Sequence, residues 1–373
     1  MRGRRTTLVS VMTAMLTLVP AELVWGQARE PSPQTAPPAE ATKAVRARQR
    51  LAPPTYRCEP VNPNATPEAR ALLKTLCAIS GKVTLTGQHN YPGEVSQYSD
   101  RVAATAGKYP AVWGSDMGFS GGTSRNSIES RPAMIQEAIR QHAAGSIITL
   151  MWHAAPPIAE EPVAFSGTAT SVQTTLTEEE WAALLRPGTE IHQRWLRQVD
   201  AVAEHLKKLR EAKIPVLWRP YHEMNGTWFW WGFREGPNGF TALYRMLYDR
   251  FVNHHRLDNL LWVWNANAAG GASVRAYHRY YPGHEYVDIL ATDIYGGRFT
   301  QKQYDDLLEL ADGRVIALGE VGAPPSPELL QAQPRWAWFM GWAGHMDSPE
   351  NAEAVKVIFR DPRTRSRGEA LPE

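Results

Sequence analysis

The sequence predicts a single α/β domain of the (β/α)8 barrel type, the TIM barrel, and three observations support this prediction. Eight short apolar runs alternate with amphipathic stretches over roughly 250 residues, the usual length of such a barrel. The runs are continuously apolar, as in parallel strands that are buried on both faces. A doubly wound sheet is the second possibility, but no glycine-rich phosphate turn follows the first run.

The predicted strands follow one another along the chain with helical patterns between them. They cover Val83–Thr86, Pro110–Trp113, Ser146–Trp152, Pro215–Trp218, Leu260–Trp264, Val287–Ala291, Val315–Leu318 and Trp336–Met340. Amphipathic stretches such as Met134–His142, Trp181–Ala212 and Phe240–His255 predict helices. Two long loops, Gly118–Ser127 and Ala154–Thr175, follow the second and third strands, where they would add walls to a pocket.

The first 54 residues are predicted to lie outside the barrel. Residues 1–26 combine an arginine-rich start with an apolar run and small residues that suit cleavage, as in a secretory signal peptide. Residues 27–54 are rich in proline and alanine, and they predict a disordered linker. The barrel domain is therefore expected over residues 55–373 of a secreted protein, extracellular or periplasmic.

Charge and cysteine content argue against several classes of function. The formal net charge is +2 over 373 residues, which gives no sign of a nucleic-acid or membrane-surface protein. Cys58 and Cys77 are expected to pair, because disulfides form in exported proteins. Two cysteines alone are also too few for a thiolate zinc site. The 14 tryptophans favour stacking on a ligand beyond the needs of a core.

Polar or aromatic residues follow the apolar run in almost every unit, where active sites of this fold form. These groups are Gln88-His89-Asn90, Ser115-Asp116, His153, His222-Glu223, Asn265–Asn267, Asp293–Tyr295, Glu320 and Trp342. Because each group stands just after a predicted strand, the groups are expected to lie at the same end of the barrel and to share one cleft.

The most informative stretch is residues 213–232, in which an apolar run leads to charged residues around Glu223 and then to four aromatics, Trp228 to Trp231. Tryptophan faces beside carboxylates suit a sugar, whose ring has an apolar face and a hydroxyl rim. Glu223 follows the fourth predicted strand and Glu320 follows the seventh, so both would face the central opening of a closed barrel. Glycoside hydrolysis needs two such carboxyls, one to protonate the leaving oxygen and one to attack or to activate water.

Four segments carry a resemblance to a known family. The longest is Trp218-Arg-Pro-Tyr-His-Glu-Met-Asn-Gly-Thr-Trp-Phe-Trp-Trp-Gly232, and the others are Leu150-Met-Trp-His153, Asp293-Ile-Tyr-Gly296 and Leu318-Gly-Glu-Val-Gly322. They resemble glycoside hydrolase family 26, whose best-known members are endo-β-1,4-mannanases, over about residues 80–362. The resemblance implies a retaining enzyme on a (β/α)8 barrel that cleaves mannan, glucomannan or galactomannan by double displacement.

The resemblance also implies roles for particular residues. Glu223 falls at the general acid/base of the family and Glu320 at its nucleophile. No metal or other cofactor is implied, and the expected partner is β-mannan bound by a monomer, without nucleic acid or membrane contact after signal removal. Six residues match positions that bind the sugar at the cleavage site: His153, Arg219, His222, Trp228, Tyr295 and Trp342.

The physical requirements of these roles agree with the assignment. The acid must keep its proton near neutral pH, which burial beside Trp228 and repulsion from ionised Glu320 would favour. The nucleophile must be ionised, and Arg219 and Tyr295 are candidates for the neighbours that stabilise it. Retaining enzymes place the two carboxyl groups about 5–5.5 Å apart, and we expect that short distance here.

Other interpretations stay open at this point. The same fold and mechanism would serve mixed-linkage β-glucan or β-1,3-xylan as substrate. A non-catalytic carbohydrate-binding barrel would share the aromatics but would be expected to lack one carboxylate. A serine esterase could use Ser120 in Gly118-Phe-Ser-Gly-Gly122, although this pattern is short and lies in a glycine-rich loop. A zinc protease would need a second histidine at position 226, which is glycine.

Several neighbouring residues have supporting interpretations. Asp293 is interpreted as a support beneath the sugar-binding residues, and Trp230 and Trp231 as wall packing or sugar contact. His89 would line the pocket near the first strand. Trp113, Asp116 and Trp152 would either contact sugars further along the glycan or support the site.

Overall fold

Eight parallel strands form a closed barrel in a computed structural model that describes residues 56–268 and 272–372. The strands are β1 (Thr84–Asn90), β2 (Val112–Asp116), β3 (Ile147–Trp152), β4 (Val216–Pro220), β5 (Leu260–Asn267), β6 (Ile289–Ile294), β7 (Val315–Val321) and β8 (Trp336–Gly341). Each pairs with its neighbours in sequence, and β1 closes the barrel by pairing with both β8 and β2. The predicted fold class is therefore confirmed. The predicted signal peptide (1–26) and linker (27–54) lie outside the described residues.

Helices surround most of this barrel. They are α1 (Pro67–Ile79), α2 (Gln97–Ala106), α3 (Arg131–Ala143), α4 (Glu178–Leu185), α5 (Glu190–Glu211), α6 (Phe240–Asp249), α7 (Gln301–Ala311), α8 (Pro327–Ala332) and α9 (Ala352–Arg360). The fifth unit departs from the regular pattern. In its described part, the connection from β5 to β6 contains two short 3-10 helices, Tyr277–Tyr280 and His284–Tyr286, rather than an α-helix.

The amphipathic stretch Trp181–Ala212 forms two helices rather than one. Helix α4 ends at Leu185, two residues before Pro187, which has no backbone N–H to donate within a helix. Thr189 then starts α5 by accepting the N–H of His192 on its side chain, as an N-cap residue does.

All eight predicted strands form, and most continue further at their C-terminal ends than the apolar runs do. β1 reaches Asn90, β5 reaches Asn267 and β7 runs through Glu320 to Val321. The hydrophobic pattern does not detect these last residues because they are the polar ones. They are nevertheless held in the ladder, so part of the cleft, including Asn267 and Glu320, is built on the strands themselves.

The opposite end of the barrel is closed by the two ends of the described chain. Cys58 and Cys77 form the predicted disulfide, which links the chain before α1 to that helix. Near the C-terminus, β9 (Thr364–Arg365) pairs with the first residues of β1. Among the described residues, none of the helices combines the length and apolar character that a membrane span requires.

Candidate active site

Glu320 lies near the end of β7, buried, with a strong donor on each carboxylate oxygen. Nη2 of Arg219 is 2.6 Å from Oε1, and the hydroxyl of Tyr295 donates to Oε2 at 2.6 Å. Burial, followed by the charge of Glu320, raises the pKa of Tyr295 well above its usual value, so this hydroxyl keeps its proton and remains a donor. A guanidinium and a phenol on one buried carboxylate stabilise its ionised form.

A bulge next to Glu320 gives this arrangement its shape. The pairing of β6 with β7 passes from Thr292–Leu318 to Asp293–Glu320 and skips Gly319. A Cβ atom at Gly319 would lie 1.6 Å from Oδ1 of Asn265, so only glycine lets the β5 side chain come this close. The bulge therefore sets Glu320 beside Asp293 in the barrel interior.

Asp293 supports Arg219 from below. Its Oδ2 lies 3.6 Å from Nη1 of Arg219, and the side chain is fully buried. Burial, followed by the charge of Glu320, raises the pKa of Asp293 well above its usual value. This agrees with the interpretation of Asp293 as a support.

His222, Asp293 and Glu320 also offer three possible metal-ligand atoms within 4.8 Å of one another. Arg219, however, contacts both carboxylates of this group. A fixed guanidinium beside the carboxylates repels a divalent cation. The group is therefore better suited to hold Arg219 than to hold a metal.

Glu223 follows β4 in an environment opposite to that of Glu320. It is buried, and its φ of 55° lies in the left-handed region, which is uncommon for a glutamate. Its backbone N–H donates to the carbonyl of Asn265 at 2.8 Å, which ties the turn to β5. Such strain persists where the surrounding structure fixes the conformation, and it is frequent at functional sites.

Burial, followed by the charge of Glu320, raises the pKa of Glu223 to about 7. Two donors act in the other direction: Nδ2 of Asn267 is 2.6 Å from Oε1, and Nε1 of Trp228 is 2.7 Å from Oε2. Burial beside Trp228 raises the pKa as expected, but the Trp228 side chain also has an opposing effect. Its indole N–H points at the carboxylate and lowers the pKa, while burial and Glu320 raise it.

Gly226 makes the position of Trp228 possible. A Cβ atom at Gly226 would lie 2.3 Å from the Trp228 ring, so the indole packs directly on this glycine. Position 226, where a zinc protease would need a second histidine, thus holds the glycine that lets Trp228 pack here.

Two histidines lie together on the other side of the carboxyl pair. The rings of His153 and His222 are 4.5 Å apart and nearly perpendicular. Burial, the largest of several effects, lowers the pKa of His222 well below its usual value, so His222 is neutral at neutral pH. Nδ1 of His153 contacts the buried carboxylate of Asp116, which fixes the orientation of the ring.

Trp342 follows β8 and stacks on His89, with ring centroids 4.1 Å apart and an angle of 17°. His89 is buried, and burial, the largest of several effects, lowers its pKa to about 3, so Trp342 packs on a neutral imidazole. Trp230 and Trp231 are fully buried, and they donate to the carbonyls of Ala154 and His222. These two tryptophans are wall packing.

The structure therefore brings both glutamates and all six predicted substrate-binding residues to one mouth of the barrel. Sequence reasoning did not assign Asn267 as a contact of Glu223 or Phe165 as part of the cleft. Asn267 belongs to the polar end of β5, which was a usable signal. Phe165 is 41% exposed in the long loop after β3, with its ring centroid 5.8 Å from that of His153, and no sequence pattern marked it.

The esterase interpretation finds no matching geometry. Ser120 lies in a loop rather than on a strand-to-helix turn, and its hydroxyl donates to the hydroxyl of Ser124 at 2.7 Å. In a serine esterase a histidine would accept that proton.

Comparison with known proteins gives one consistent result. The model of glycosyl hydrolase family 26 matches residues 61–369. A mannan endo-1,4-beta-mannosidase of Thermothelomyces thermophilus is 38% identical over 310 residues, covering 79% of this chain and 60% of its own. The chain spans less than half of two further curated relatives, from Piromyces sp.

Two solved structures match this chain in fold along nearly their whole length. GH26A of Muricauda sp. MAR_2010_75 is 47% identical, with a TM-score of 0.78, and the match covers 82% of this chain and 98% of that one. A beta-mannanase from a symbiotic protist of the termite Reticulitermes speratus, in complex with gluco-manno-oligosaccharide, is 25% identical, with a TM-score of 0.72 and coverage of 84% and 98%. The chain belongs to glycosyl hydrolase family 26.

Proposed function

We propose that this chain is an endo-β-1,4-mannanase that works by retaining double displacement, with Glu223 as general acid/base and Glu320 as nucleophile. The observation that carries the proposal is the opposite environment of the two carboxyls. Glu223 has a pKa raised to about 7, whereas Glu320 accepts from Arg219 and Tyr295 at 2.6 Å each. One group is suited to give a proton and the other to attack as an anion.

In the first displacement, a carboxylate oxygen of Glu320 bonds to the anomeric carbon as the bond from that carbon to the glycosidic oxygen breaks. Glu223 gives its proton to the leaving oxygen. In the second displacement, Glu223 takes a proton from water, whose oxygen bonds to the anomeric carbon and releases Glu320.

The coupling between the two glutamates suits this change of role. The charge of Glu320 is one reason why the pKa of Glu223 is raised. That charge disappears while Glu320 is esterified to the sugar, so the pKa of Glu223 falls and the group becomes an anion that can act as a base. The same contact therefore favours the acid in the first step and the base in the second.

The substrate proposal rests on relatives. The Thermothelomyces relative is named as a mannan endo-1,4-beta-mannosidase, and the protist neighbour binds a gluco-manno-oligosaccharide. We propose β-mannan, including glucomannan and galactomannan, as the substrate class. Mannose differs from glucose at its axial 2-hydroxyl, so the preference depends on few contacts at the cleavage site.

Product analysis on glucomannan, galactomannan, lichenan and xylan tests both parts of the proposal. We expect manno-oligosaccharides of mixed length from the two mannans and a retained anomer in the first product seen by NMR. A preference for lichenan or xylan would overturn the substrate, and an inverted anomer would overturn the mechanism. Glu223→Ala serves as the inactive control, and a Glu320→Ala variant with full activity would refute the nucleophile.

We also propose export of the mature domain, supported by the signal-like residues 1–26 and by the Cys58–Cys77 disulfide, which persists in oxidising compartments. Expression of the full chain followed by N-terminal sequencing of the extracellular or periplasmic product tests this. Retention of uncleaved protein in the cytoplasm would contradict it.

A further inference from the structure

On its β4 side, the end of β5 is held by the turn that follows β4. The ladder between the two strands joins Val216–Trp218 to Leu260–Trp262, whereas β5 continues to Asn267. Beyond this ladder, the backbone N–H of Glu223 donates to the carbonyl of Asn265 at 2.8 Å. The turn that carries Glu223 therefore takes over the pairing that β4 no longer provides.

Asn225, two residues after Glu223, continues this pairing with its side chain. The backbone N–H of Asn267 donates to Oδ1 of Asn225 at 2.8 Å, and Nδ2 of Asn225 donates to the carbonyl of Asn267 at 2.9 Å. The side-chain amide thus makes the two hydrogen bonds that a neighbouring strand would make. Asn225 is fully buried, so these groups would be costly to leave unpaired.

The same amide also holds the connection from β5 to β6. Nδ2 of Asn225 donates to the carbonyl of Arg275 at 2.9 Å, and the backbone N–H of Arg275 donates to the carbonyl of Asn225 at 2.9 Å. Because an amide nitrogen carries two N–H groups, one is available for each carbonyl. The Asn225 side chain with its bonds to Asn267 and Arg275 is called the Asn225 clamp below.

The Asn225 clamp fixes a residue that contacts the proposed acid. Nδ2 of Asn267 lies 2.6 Å from Oε1 of Glu223. Burial is the largest effect on the pKa of Glu223 and raises it, and the bond from Asn267 acts against that rise. Since the backbone of Asn267 is bonded to Asn225, the carboxyl and its donor are held by the same turn. A movement of β5 that separated them would have to break the clamp.

We propose that Asn225 is a positioning residue for the acid/base, which keeps the Asn267 amide on Oε1 of Glu223 through both displacements. This inference rests on the proposed function of Glu223. An amide donor stabilises the ionised carboxylate, which is the form that takes a proton from water in the second displacement. Release of the clamp should therefore raise the pKa of Glu223 and leave less of the base form near neutral pH.

Four other charged or titratable groups interact with the charge of Glu223: Glu320, Arg219, Asp293 and Tyr295. Asn225 and Asn267 are uncharged, so replacing either of them with alanine leaves all four groups in place. A purely structural loss would admit water to the site, weaken the effect of burial and lower the pKa of Glu223. The direction of the change therefore separates a positioning role from a general loosening of the turn.

NMR of δ-13C-labelled glutamate measures the pKa of Glu223 without catalysis, with Glu223→Gln to assign its signal. For Asn267→Ala and for Asn225→Ala we expect a rise of about half a unit or more. The double variant should show no larger rise, because Asn225 acts through Asn267. The alkaline limb of kcat/KM on a soluble mannan should move to higher pH by the same amount, since the protonated acid persists further.

Asn259→Ala is the matched control. Asn259 is a buried asparagine at the other end of β5, and its Nδ2 donates to the carbonyl of Ile214, just before β4, at 2.8 Å. This variant loses a comparable bond from an amide to the backbone, yet the pKa of Glu223 should equal that of the wild type. If Asn225→Ala does not fold, Asn225→Ser takes its place, because the shorter side chain cannot make all three bonds.

An unchanged or lowered pKa of Glu223 in the folded Asn225 variant would overturn the positioning role. So would shifts of the two single variants that add together in the double variant. A raised pKa in a protein whose wild type cleaves none of the mannans would support the clamp and overturn the proposed function instead.

Discussion

The indole N–H of Trp228 donates to Oε2 of Glu223 at 2.7 Å, against the two effects that keep this carboxyl protonated. Burial and the charge of Glu320 raise the pKa of Glu223 to about 7, and Asn267 and Trp228 limit that rise. The pKa of Glu223 is thus set by a balance between the effects that raise it and the two hydrogen bonds that lower it. An acid/base residue must both give and take a proton in one cycle, and a pKa near the working pH suits both tasks.

Replacing Trp228 with phenylalanine should move the alkaline limb of the activity profile to higher pH. The change removes a donor that stabilises the ionised carboxylate, so the pKa of Glu223 rises. Because the protonated form is the active acid, kcat/KM should persist to a pH higher by about one unit. The measurement is the pH dependence of kcat/KM on a soluble mannan.

Trp230→Phe is the matched control for this shift. Trp230 also donates from its indole, but its partner is the carbonyl of Ala154. The alkaline limb of the Trp230→Phe profile should coincide with that of the wild type. A Trp228→Phe profile that is unchanged or moved to lower pH would contradict the balance described above.

Tyr295→Phe should lower kcat about 10²-fold, a typical effect of losing one donor to a reacting oxyanion. The hydroxyl of Tyr295 is 2.6 Å from Oε2 of Glu320, so its loss leaves one carboxylate oxygen without that donor. Steady-state kinetics on an aryl mannoside measure the change.

Tyr244→Phe controls for the loss of a buried phenol as such. The Tyr244 hydroxyl is buried without a hydrogen-bond partner among the residues that the structure describes, so its removal should leave kcat unchanged. If Tyr295→Phe kept wild-type kcat, Tyr295 would have no role in stabilising the nucleophile.

The barrel and the two glutamates were predictable from the chain because their signals are local. Apolar runs mark the strands, and Glu223 and Glu320 each follow such a run. Asn267 was placed in the cleft, but its contact with Glu223 and the need for glycine at position 319 were not predicted, because both depend on which residues face each other across neighbouring strands. The skipped pairing at Gly319 is a property of the β6–β7 register, and the spacing of residues along the sequence does not reveal it.

Gly319→Ala should therefore lower both stability and activity. The added methyl would lie 1.6 Å from Oδ1 of Asn265 and 2.9 Å from Oδ1 of Asp293, so the bulge and Glu320 must move. We expect a loss of about 1–3 kcal/mol in the free energy of unfolding, measured in denaturant.

A double-mutant cycle with Asn265→Ala tests the cause. Removing the Asn265 side chain removes the closest atom that the new methyl meets, so Gly319→Ala should cost less stability in that background. Additive effects of the two changes would mean that this contact is not the reason for glycine at position 319.

Removing the disulfide should destabilise the domain without changing its catalysis. Cys58 and Cys77 close a loop at the end of the barrel where the strands begin: Arg57 donates from its backbone N–H to the carbonyl of Gly313, just before β7. A cross-link of this span restricts the unfolded chain and contributes roughly 3 kcal/mol in the chain-entropy model.

The active site is at the other end of the strands, so kcat/KM of a Cys58→Ser, Cys77→Ser variant should equal that of the wild type at temperatures where both are folded. Denaturant unfolding measures the loss, and wild-type protein under reducing conditions should show a loss of the same size. An unchanged free energy of unfolding, or a changed KM in the folded variant, would contradict this separation of the stabilising end from the catalytic end.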